Sequence, residues 1–238
     1  MSSTYLALTN ELLRRLNEVE LDSTNFAAAR NVQALAKDSI NSSIREVLHS
    51  GQEWPFTLIT YPQTLTVGQA SYSFPSDLSS VDWESFYIKK LNDSNEPGKL
   101  PVITYVEYVD KHRGQDETSG TGGYGPTSVV SQTQESKFLV SPPPDQAYII
   151  EYKYWSFPAS LTLFSSVCAI PERFNNVIID GAMMFMMLFR SNEQSAAIHK
   201  DKFEQGIKGM RRLLMDEPLY MRSTMIMKPV TSFRVLNG

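Results

Sequence analysis

The feature that most limits the possible folds is helical periodicity at both ends of the chain, with strand-like sequence between them. Near the amino terminus, apolar residues recur at three- and four-residue spacing, which is typical of an amphipathic helix. These residues are Tyr5, Leu8, Leu12, Leu16 and Val19. A second stripe runs from Val32 to Leu48, and Asn31 suits its N-cap and Gly51 its C-terminal end. We therefore expect two antiparallel helices joined by a short loop.

The region between residues 56 and 157 has the composition of strands. It is rich in Tyr, Val, Ile, Thr and Pro, and its strand-length runs are bounded by Pro, Gly, Asn or Asp. These runs are FTLITY, ASYSF, WESFYIKK, TSVVSQT, SKFLVSP and AYIIEYKYW. In the last run, Tyr148, Ile150, Tyr152 and Tyr154 fall on one face. This alternation predicts a sheet with one buried and one solvated face.

Two segments of this region are set apart from the strands. Ile103, Val106 and Val109 have helical spacing, and we expect a short helix there. The polar stretch GQDETSGTGGYGP, residues 114–126, is expected to be a long loop. Its glycines resemble a phosphate-binding loop in composition only, because the stretch runs into Pro126 and no Lys-Ser/Thr pair follows.

Beyond residue 160 the helical period returns, together with the most apolar run of the chain. Pro171 suits the first helical position, and the helix is expected to reach Arg190. The apolar run from Val177 to Phe189 is interrupted by Asp180 and is shorter than the roughly 20 residues of a membrane-spanning helix. Its methionines spread around the helix and do not converge on a metal, so we expect burial in protein. A last helical stripe consists of Phe203, Ile207, Met210 and Leu214.

These patterns predict an α+β fold. Helix pairs from the two ends of the chain form a four-helix bundle, and an antiparallel β-sandwich or β-barrel-like domain is inserted between them. The expected parts are amino-terminal helices (1–55), the β domain (56–168), carboxy-terminal helices (169–217) and an extended tail (218–238). The expected bundle core is Leu12, Leu16, Ile40, Ile44, Ile178, Met184, Phe185, Leu188, Phe203 and Ile207.

Composition excludes several classes of protein. The net charge is −4, from 22 basic and 26 acidic residues, so charge alone does not make the chain coat nucleic acid. Cys168 is the only cysteine, which excludes an internal disulfide and fits a reducing compartment. The amino terminus lacks a basic region followed by a long apolar run, so we expect neither a signal peptide nor a membrane partner.

The residues needed for catalysis or metal binding are scarce. His49, His112 and His199 lie on three different predicted elements, and neither a G-x-S-x-G nor an H-E-x-x-H stretch is present. Asp82 and Glu84 lie two residues apart on a predicted strand. They are the candidate acid–base pair if the protein is a hydrolase. Such pairs are more often solvated edge charges. We therefore expect no catalytic site, no metal and no cofactor.

The tail is apolar and basic, with no acidic residue after Glu217. Such a segment suits an extended contact on a partner, but packing against its own chain explains the composition equally well, so both readings stay open. Its candidate docking residues are Tyr220, Met221, Arg222, Met225, Ile226, Met227, Phe233, Arg234, Val235 and Leu236.

Three blocks of the sequence resemble a known family. They span residues 8–56 (LTNELLRR to EWPF), 138–161 (FLVSPPPDQAYIIEYKYWSFPASL) and 170–214 (IPERFNNVIIDGAMMFMMLFR to MRRLL). Together they resemble the head-to-tail adaptor proteins of tailed phages, related to the tail tubular protein A type of short-tailed phages. The polar loop after Arg113 is the least matched part.

The resemblance implies a non-enzymatic structural protein of the virion, assembled in the host cytoplasm and located at the head-tail junction. Proteins of this type form a ring of twelve copies that binds the portal above and the tail nozzle or tube below. The ring lines a channel through which genomic DNA passes without sequence-specific binding. The resemblance also implies that the tail docks on the portal. The alternatives are another phage component, either a neck protein or a β-rich module that binds host glycan.

Overall fold

The computed structural model describes residues 3–50, 53–90, 98–112, 123–133 and 136–215. Its helices are α1 (Tyr5–Arg15), α2 (Asn31–His49), α3 (Tyr105–Lys111), α4 (Asn175–Phe189) and α5 (Glu193–Leu214). Its strands are β1 (Leu58–Thr64), β2 (Ser71–Ser73), β3 (Leu78–Lys90), β4 (Gly98–Lys99), β5 (Val102–Ile103), β6 (Val129–Gln132), β7 (Lys137–Ser141) and β8 (Tyr148–Ser156). The predicted tail, residues 218–238, lies outside the described residues.

Helices from the two ends of the chain share one core. α4 packs against α1 and α2 on one part of its surface and against α5 on another. The buried side chains of this core come from all four helices and from the segment before α4. They include Tyr5, Leu8, Leu12, Ile40, Val47, Trp54, Ile170, Ile178, Ile179, Met183, Met186, Phe203 and Met210. Burial of this apolar surface is what joins the two ends of the chain.

The strands form two four-stranded sheets with a second core between them. The strand orders are β1-β8-β3-β4 and β2-β7-β6-β5, and β5 and β6 form the parallel pair. Aromatic rings join the sheets, because Phe138 of one sheet lies 5.6 Å from Tyr152 of the other, measured between ring centroids. Tyr148, Ile150, Tyr152 and Tyr154 are all buried, as the alternation predicted. The described chain is a mixed α+β protein with two sheets, and a closed barrel is not seen in it.

Several predicted boundaries are wrong, for local reasons. Val19 does not belong to the face of α1, because the helix ends at Arg15 and Val19 is exposed in the following loop. Asn31 is the first residue of α2 and not its N-cap, which is Arg30. Pro171 precedes a 3₁₀ turn, and the α-helix starts four residues later, at Asn175. The proposed stop at Gly51 lies outside the described residues.

The short helix in the β region is real, but its predicted face is wrong. Ile103 belongs to strand β5, and α3 begins only after Thr104, whose side chain caps it by accepting from the Glu107 backbone N–H. The buried residue of α3 is Tyr108, whereas Val106 is 69% exposed. The three-residue spacing was therefore accidental.

Most residues of the predicted bundle core are buried in the structure. Leu12, Leu16, Ile40, Ile44, Ile178 and Phe203 are buried, and Ile207 packs against the core while remaining partly exposed. Met184 and Phe185 are only half-buried. Leu188 is 52% exposed, so its assignment to the core is wrong. The rest of the chain covers one side of α4, although the sequence of α4 is apolar on nearly all sides.

Asn41 of α2 fixes the segment that leads back from the β strands to the helices. Its side-chain amide donates to the Leu161 carbonyl at 2.9 Å, and its side-chain oxygen accepts from the Leu161 backbone N–H at 2.9 Å. The same amide nitrogen also donates to the Tyr5 hydroxyl at 3.0 Å. Tyr5 in turn donates to the Lys37 carbonyl at 2.8 Å. One side chain thus ties the returning segment to both amino-terminal helices.

Asn41→Ala is expected to lower the free energy of unfolding by about 1–3 kcal/mol, because it leaves backbone groups of Leu161 and the Tyr5 hydroxyl without their partner. Thermal and urea unfolding followed by circular dichroism would measure the change. Ser42→Ala is the matched control, since Ser42 is the next residue of the same helix and makes none of these contacts. Equal effects of the two substitutions would contradict the role of Asn41.

Candidate functional site

The surface around α4 is the candidate site, because α4 is where the two ends of the chain meet. At the start of α4, Asn175 donates its side-chain amide to the Ser3 hydroxyl at 2.6 Å. The Cys168 backbone N–H donates to the Ser3 carbonyl at 3.0 Å, and the Tyr5 N–H donates to the Ser166 carbonyl at 2.8 Å. The loop before α4 is therefore held against the start of α1. Burial raises the pKa of the Tyr5 hydroxyl, and the nearby Asp38 carboxylate raises it further.

A glycine allows the close crossing in the middle of α4. A Cβ atom at Gly181 would lie 2.3 Å from the Ser43 Oγ of α2 and 2.7 Å from the Phe203 ring of α5. The Ser43 hydroxyl is itself fixed, because it donates to the Ile178 carbonyl at 2.8 Å. Gly206 of α5 makes a similar approach, where a Cβ would lie 2.7 Å from Val177. These contacts set α5 antiparallel to α4.

A polar network lies beside this crossing. The Asp180 carboxylate contacts His199 Nδ1 of α5 at 3.1 Å and Arg15 Nη1 of α1 at 3.9 Å. Arg15 also donates to Glu11 and to Asn176, each at 2.8 Å. Asp180, which interrupts the apolar run of the sequence, thus links α4 to α1 and α5. His199 is a structural partner of Asp180 in this arrangement.

The methionine-rich run of α4 divides into a covered and an uncovered part. Met183 and Met186 are buried in the helical core, as are Gly181 and Ala182. Leu188 is 52% and Phe189 67% exposed, at the end of the helix. The sequence shows the apolar run, but it does not show which side of the helix the rest of the chain leaves exposed.

Two more exposed apolar residues lie on the segments next to the end of α4. Arg190 donates to the Glu18 carboxylate at 2.8 Å, which brings the loop after α1, including the exposed Val19, to the end of α4. Ile198 follows on the second turn of α5 and is 52% exposed. We call Val19, Leu188, Phe189 and Ile198 the α4-end patch. Single exposed apolar residues are ordinary, whereas several of them near one end of a helical unit are candidates for an interaction surface.

A second apolar surface lies near the start of α4. Leu163, Phe164 and Val167 are exposed on the loop that is hydrogen-bonded to residues 3–6. We call these three residues the loop patch. Since α4 has 15 residues, the two patches are separated by about 22 Å along the helix.

The carboxylates that supported the hydrolase reading lie in an open groove. A register irregularity of β3 lies between Asp82 and Tyr87 and includes Glu84, and the Asp82 carboxylate accepts from the Glu84 backbone N–H at 3.1 Å. The groove has a volume of about 410 Å³ and is lined by charged and polar side chains that include Lys99 and Lys153. The Asp82 carboxylate caps a local turn, and Glu84 takes part in it only through its backbone N–H, so this geometry does not set the two acids up as an acid and base facing a bond.

The remaining candidates for chemistry are dispersed. His49 packs on the Phe157 ring at 4.7 Å, His112 caps the end of α3, and His199 contacts Asp180. Cys168 is buried, and burial raises the pKa of its thiol. Within the part of the chain that the structure describes, no group of three or more His, Cys, Asp or Glu residues is placed to hold a metal ion. Over the same residues, no helix is long and apolar enough to cross a membrane.

The predicted docking residues Tyr220–Leu236 fall outside the described residues, and so does the polar loop 114–126 up to residue 122. The end of that loop, residues 123–126, is described. Gly125 forms an isolated bridge with Pro144, and a Cβ at Gly68 would lie 2.9 Å from the Tyr124 hydroxyl oxygen.

Comparison with known families decides the identity. A family model described as SU10 adaptor protein matches residues 3–226. The chain belongs to the SU10 adaptor protein family. The match covers all the helices and strands described above, and it includes the three blocks that resemble phage adaptors. A search of curated proteins found no match.

Membership in the SU10 adaptor protein family supports a structural role as a phage adaptor, a component of the virion that interacts with other head and tail components. Adaptors of this kind are generally not enzymes. The match does not single out the tail tubular protein A type, so that part of the resemblance stays a prediction.

Proposed function

We propose that this SU10 adaptor protein is a ring-forming connector at the head-tail junction, between the portal and the tail nozzle or tube. The observation that carries the proposal is the family match over residues 3–226. In this proposal, α1, α2, α4 and α5 act as a four-helix bundle, the two sheets are an inserted β domain, and the protein is of the tail tubular protein A type. The ring has twelve copies, assembles in the host cytoplasm and lines the channel for genomic DNA.

Two features of the molecule support a connector. The helices of both chain ends share one core and the strands share a second, so the two parts can contact different neighbours. Apolar side chains also remain exposed at both ends of α4. A subunit in a closed ring needs two different contact surfaces, because head-to-tail contacts bury unlike faces.

Portal docking is assigned to the tail. Its apolar residues and its three basic residues, Arg222, Lys228 and Arg234, suit an extended contact on the partner. The channel proposal requires walls that do not hold DNA, since basic surfaces bind phosphates. The net charge of −4 is in keeping with this requirement.

Deletion of residues 220–238 is expected to abolish binding to portal rings while leaving the fold intact, because α1, α2, α4 and α5, which share the helical core, all lie before the deleted residues. Co-sedimentation with portal rings and electron microscopy of the mixture would measure binding. The deleted protein should have an unchanged melting temperature, which is the control for folding. Full portal binding by the deleted protein would refute the docking role, and trimers with affinity for polysaccharide would instead favour the glycan-binding alternative.

A further inference from the structure

We infer that the α4-end patch of one subunit docks on the loop patch of a second copy, so that neighbouring helical units meet head to tail. This inference rests on the proposed ring and names the surfaces that close it. The two patches are apolar, exposed and at opposite ends of α4. Because the surfaces differ, the contact is heterologous, which is the kind that generates rings.

Both patches are held in place by hydrogen bonds or ion pairs. The loop patch is held by backbone hydrogen bonds from Tyr5 to Ser166 and from Leu6 to Phe164. The α4-end patch is held by the Arg190–Glu18 ion pair and by the Asn192 backbone N–H, which donates to the Met187 carbonyl at 3.0 Å. Apolar groups that are fixed before binding lose little conformational entropy when a partner covers them.

The charges around the two patches differ in sign. The loop after α1 and the first residue of α5 carry four carboxylates, on Glu18, Glu20, Asp22 and Glu193, and the same loop and the end of α4 carry the guanidinium groups of Arg30 and Arg190. Two of these carboxylates are paired, Glu18 with Arg190 and Glu20 with Arg14. Asp22 and Glu193 make no ion pair within the described residues. The rim of the α4-end patch is therefore acidic.

The opposite end of the helical unit is basic. α5 runs antiparallel to α4, so its last turns lie beyond the start of α4, on the side of the loop patch. They carry Lys208, Arg211 and Arg212, and no acidic residue lies between Glu204 and the end of α5. Arg211 Nε is buried without an acceptor within the described chain. An acidic rim facing a basic rim favours a second copy of this chain as the occupant, since opposite charges select orientation.

Cross-linking tests the arrangement directly. Phe189→Cys and Leu163→Cys place one thiol in each patch at exposed positions, while Cys168 stays buried. Under mild oxidation, a mixture of the two variants should give covalent dimers that neither variant gives alone, and a chain carrying both substitutions should give a ladder of multimers. Dimers of Phe189→Cys alone would overturn the inference, because they require like faces to meet. Absence of any cross-linked product would also overturn it.

A second measurement separates this inference from the proposed function. Leu188→Ser combined with Phe189→Ser should abolish concentration-dependent self-association in sedimentation velocity, without lowering the melting temperature. Val106→Ser, an equally exposed apolar position on α3, is the matched control and should leave self-association unchanged. Normal rings from the double variant overturn the inference and leave the connector role standing. Rings that form normally but no longer bind portal would place the α4-end patch at the portal instead.

Discussion

Gly181→Val is expected to lower the free energy of unfolding by about 3 kcal/mol or more, because the new side chain overlaps two helices at once. A Cβ at this position already lies 2.3 Å from Ser43 Oγ and 2.7 Å from the Phe203 ring. Ser43 cannot turn away without losing its hydrogen bond to the Ile178 carbonyl. For a chain of this size the loss corresponds to a fall in melting temperature of roughly 6–12 °C.

Gly209→Ala is the matched control for this prediction. Gly209 lies in α5, and a Cβ there would meet nothing within 4 Å. Alanine is favoured over glycine inside a helix, so this substitution is expected to stabilise the protein by about 0.5–1 kcal/mol. Thermal and chemical unfolding of both variants would measure the difference. If the Gly181→Val protein had the same melting temperature as the wild type, α2, α4 and α5 would not cross as closely as described.

The kind and order of most elements could be predicted from the sequence. Three- and four-residue spacing predicted the helices that became α1, α2, α4 and α5, and alternation predicted the buried face of β8. These signals are local, because a helix or strand repeats its inward-facing positions at a fixed interval. The α+β class followed from the order of the elements alone.

The covered side of each helix could not be predicted in the same way. α4 is apolar on nearly all sides, so its periodicity does not say whether Met184 or Met186 faces the core. That choice depends on where α1, α2 and α5 lie, which is set by long-range contacts such as the approach of Gly181 to Ser43. The prediction of short elements fails for a related reason, because the few residues of β5 and α3 fit both helical and strand periodicity.

The candidate site illustrates the same limit. The sequence shows the apolar run of α4. Only the fold shows which of its apolar residues stay exposed. Val19, Ile198 and Phe189 come from three separate segments, which the Arg190–Glu18 pair and the turn after α4 bring together. The useful signal is that α4 has more apolar residues than the rest of the chain covers, and the sequence alone does not show how many are covered.

Met186→Asp is expected to prevent folding, because it places an unpaired carboxylate at a fully buried position in the helical core. The cost is about 4–5 kcal/mol or more, a large part of the roughly 5–15 kcal/mol by which a domain of this kind is stable. The protein should be insoluble or lack a cooperative melting transition in circular dichroism. Met184→Asp should cost less, since the half-buried side chain can turn its carboxylate toward water.

Leu188→Asp completes this comparison on the same helix. At 52% exposure the carboxylate stays hydrated, so the subunit is expected to fold and melt close to the wild type. Self-association should nevertheless be lost, because the new charge lies within the α4-end patch, beside an acidic rim. Equal solubility and equal melting of the Met186→Asp and Leu188→Asp proteins would mean that α4 does not separate a buried core side from an open side. Loss of folding in Leu188→Asp would place Leu188 in the core after all, and the α4-end patch would then be part of the subunit interior.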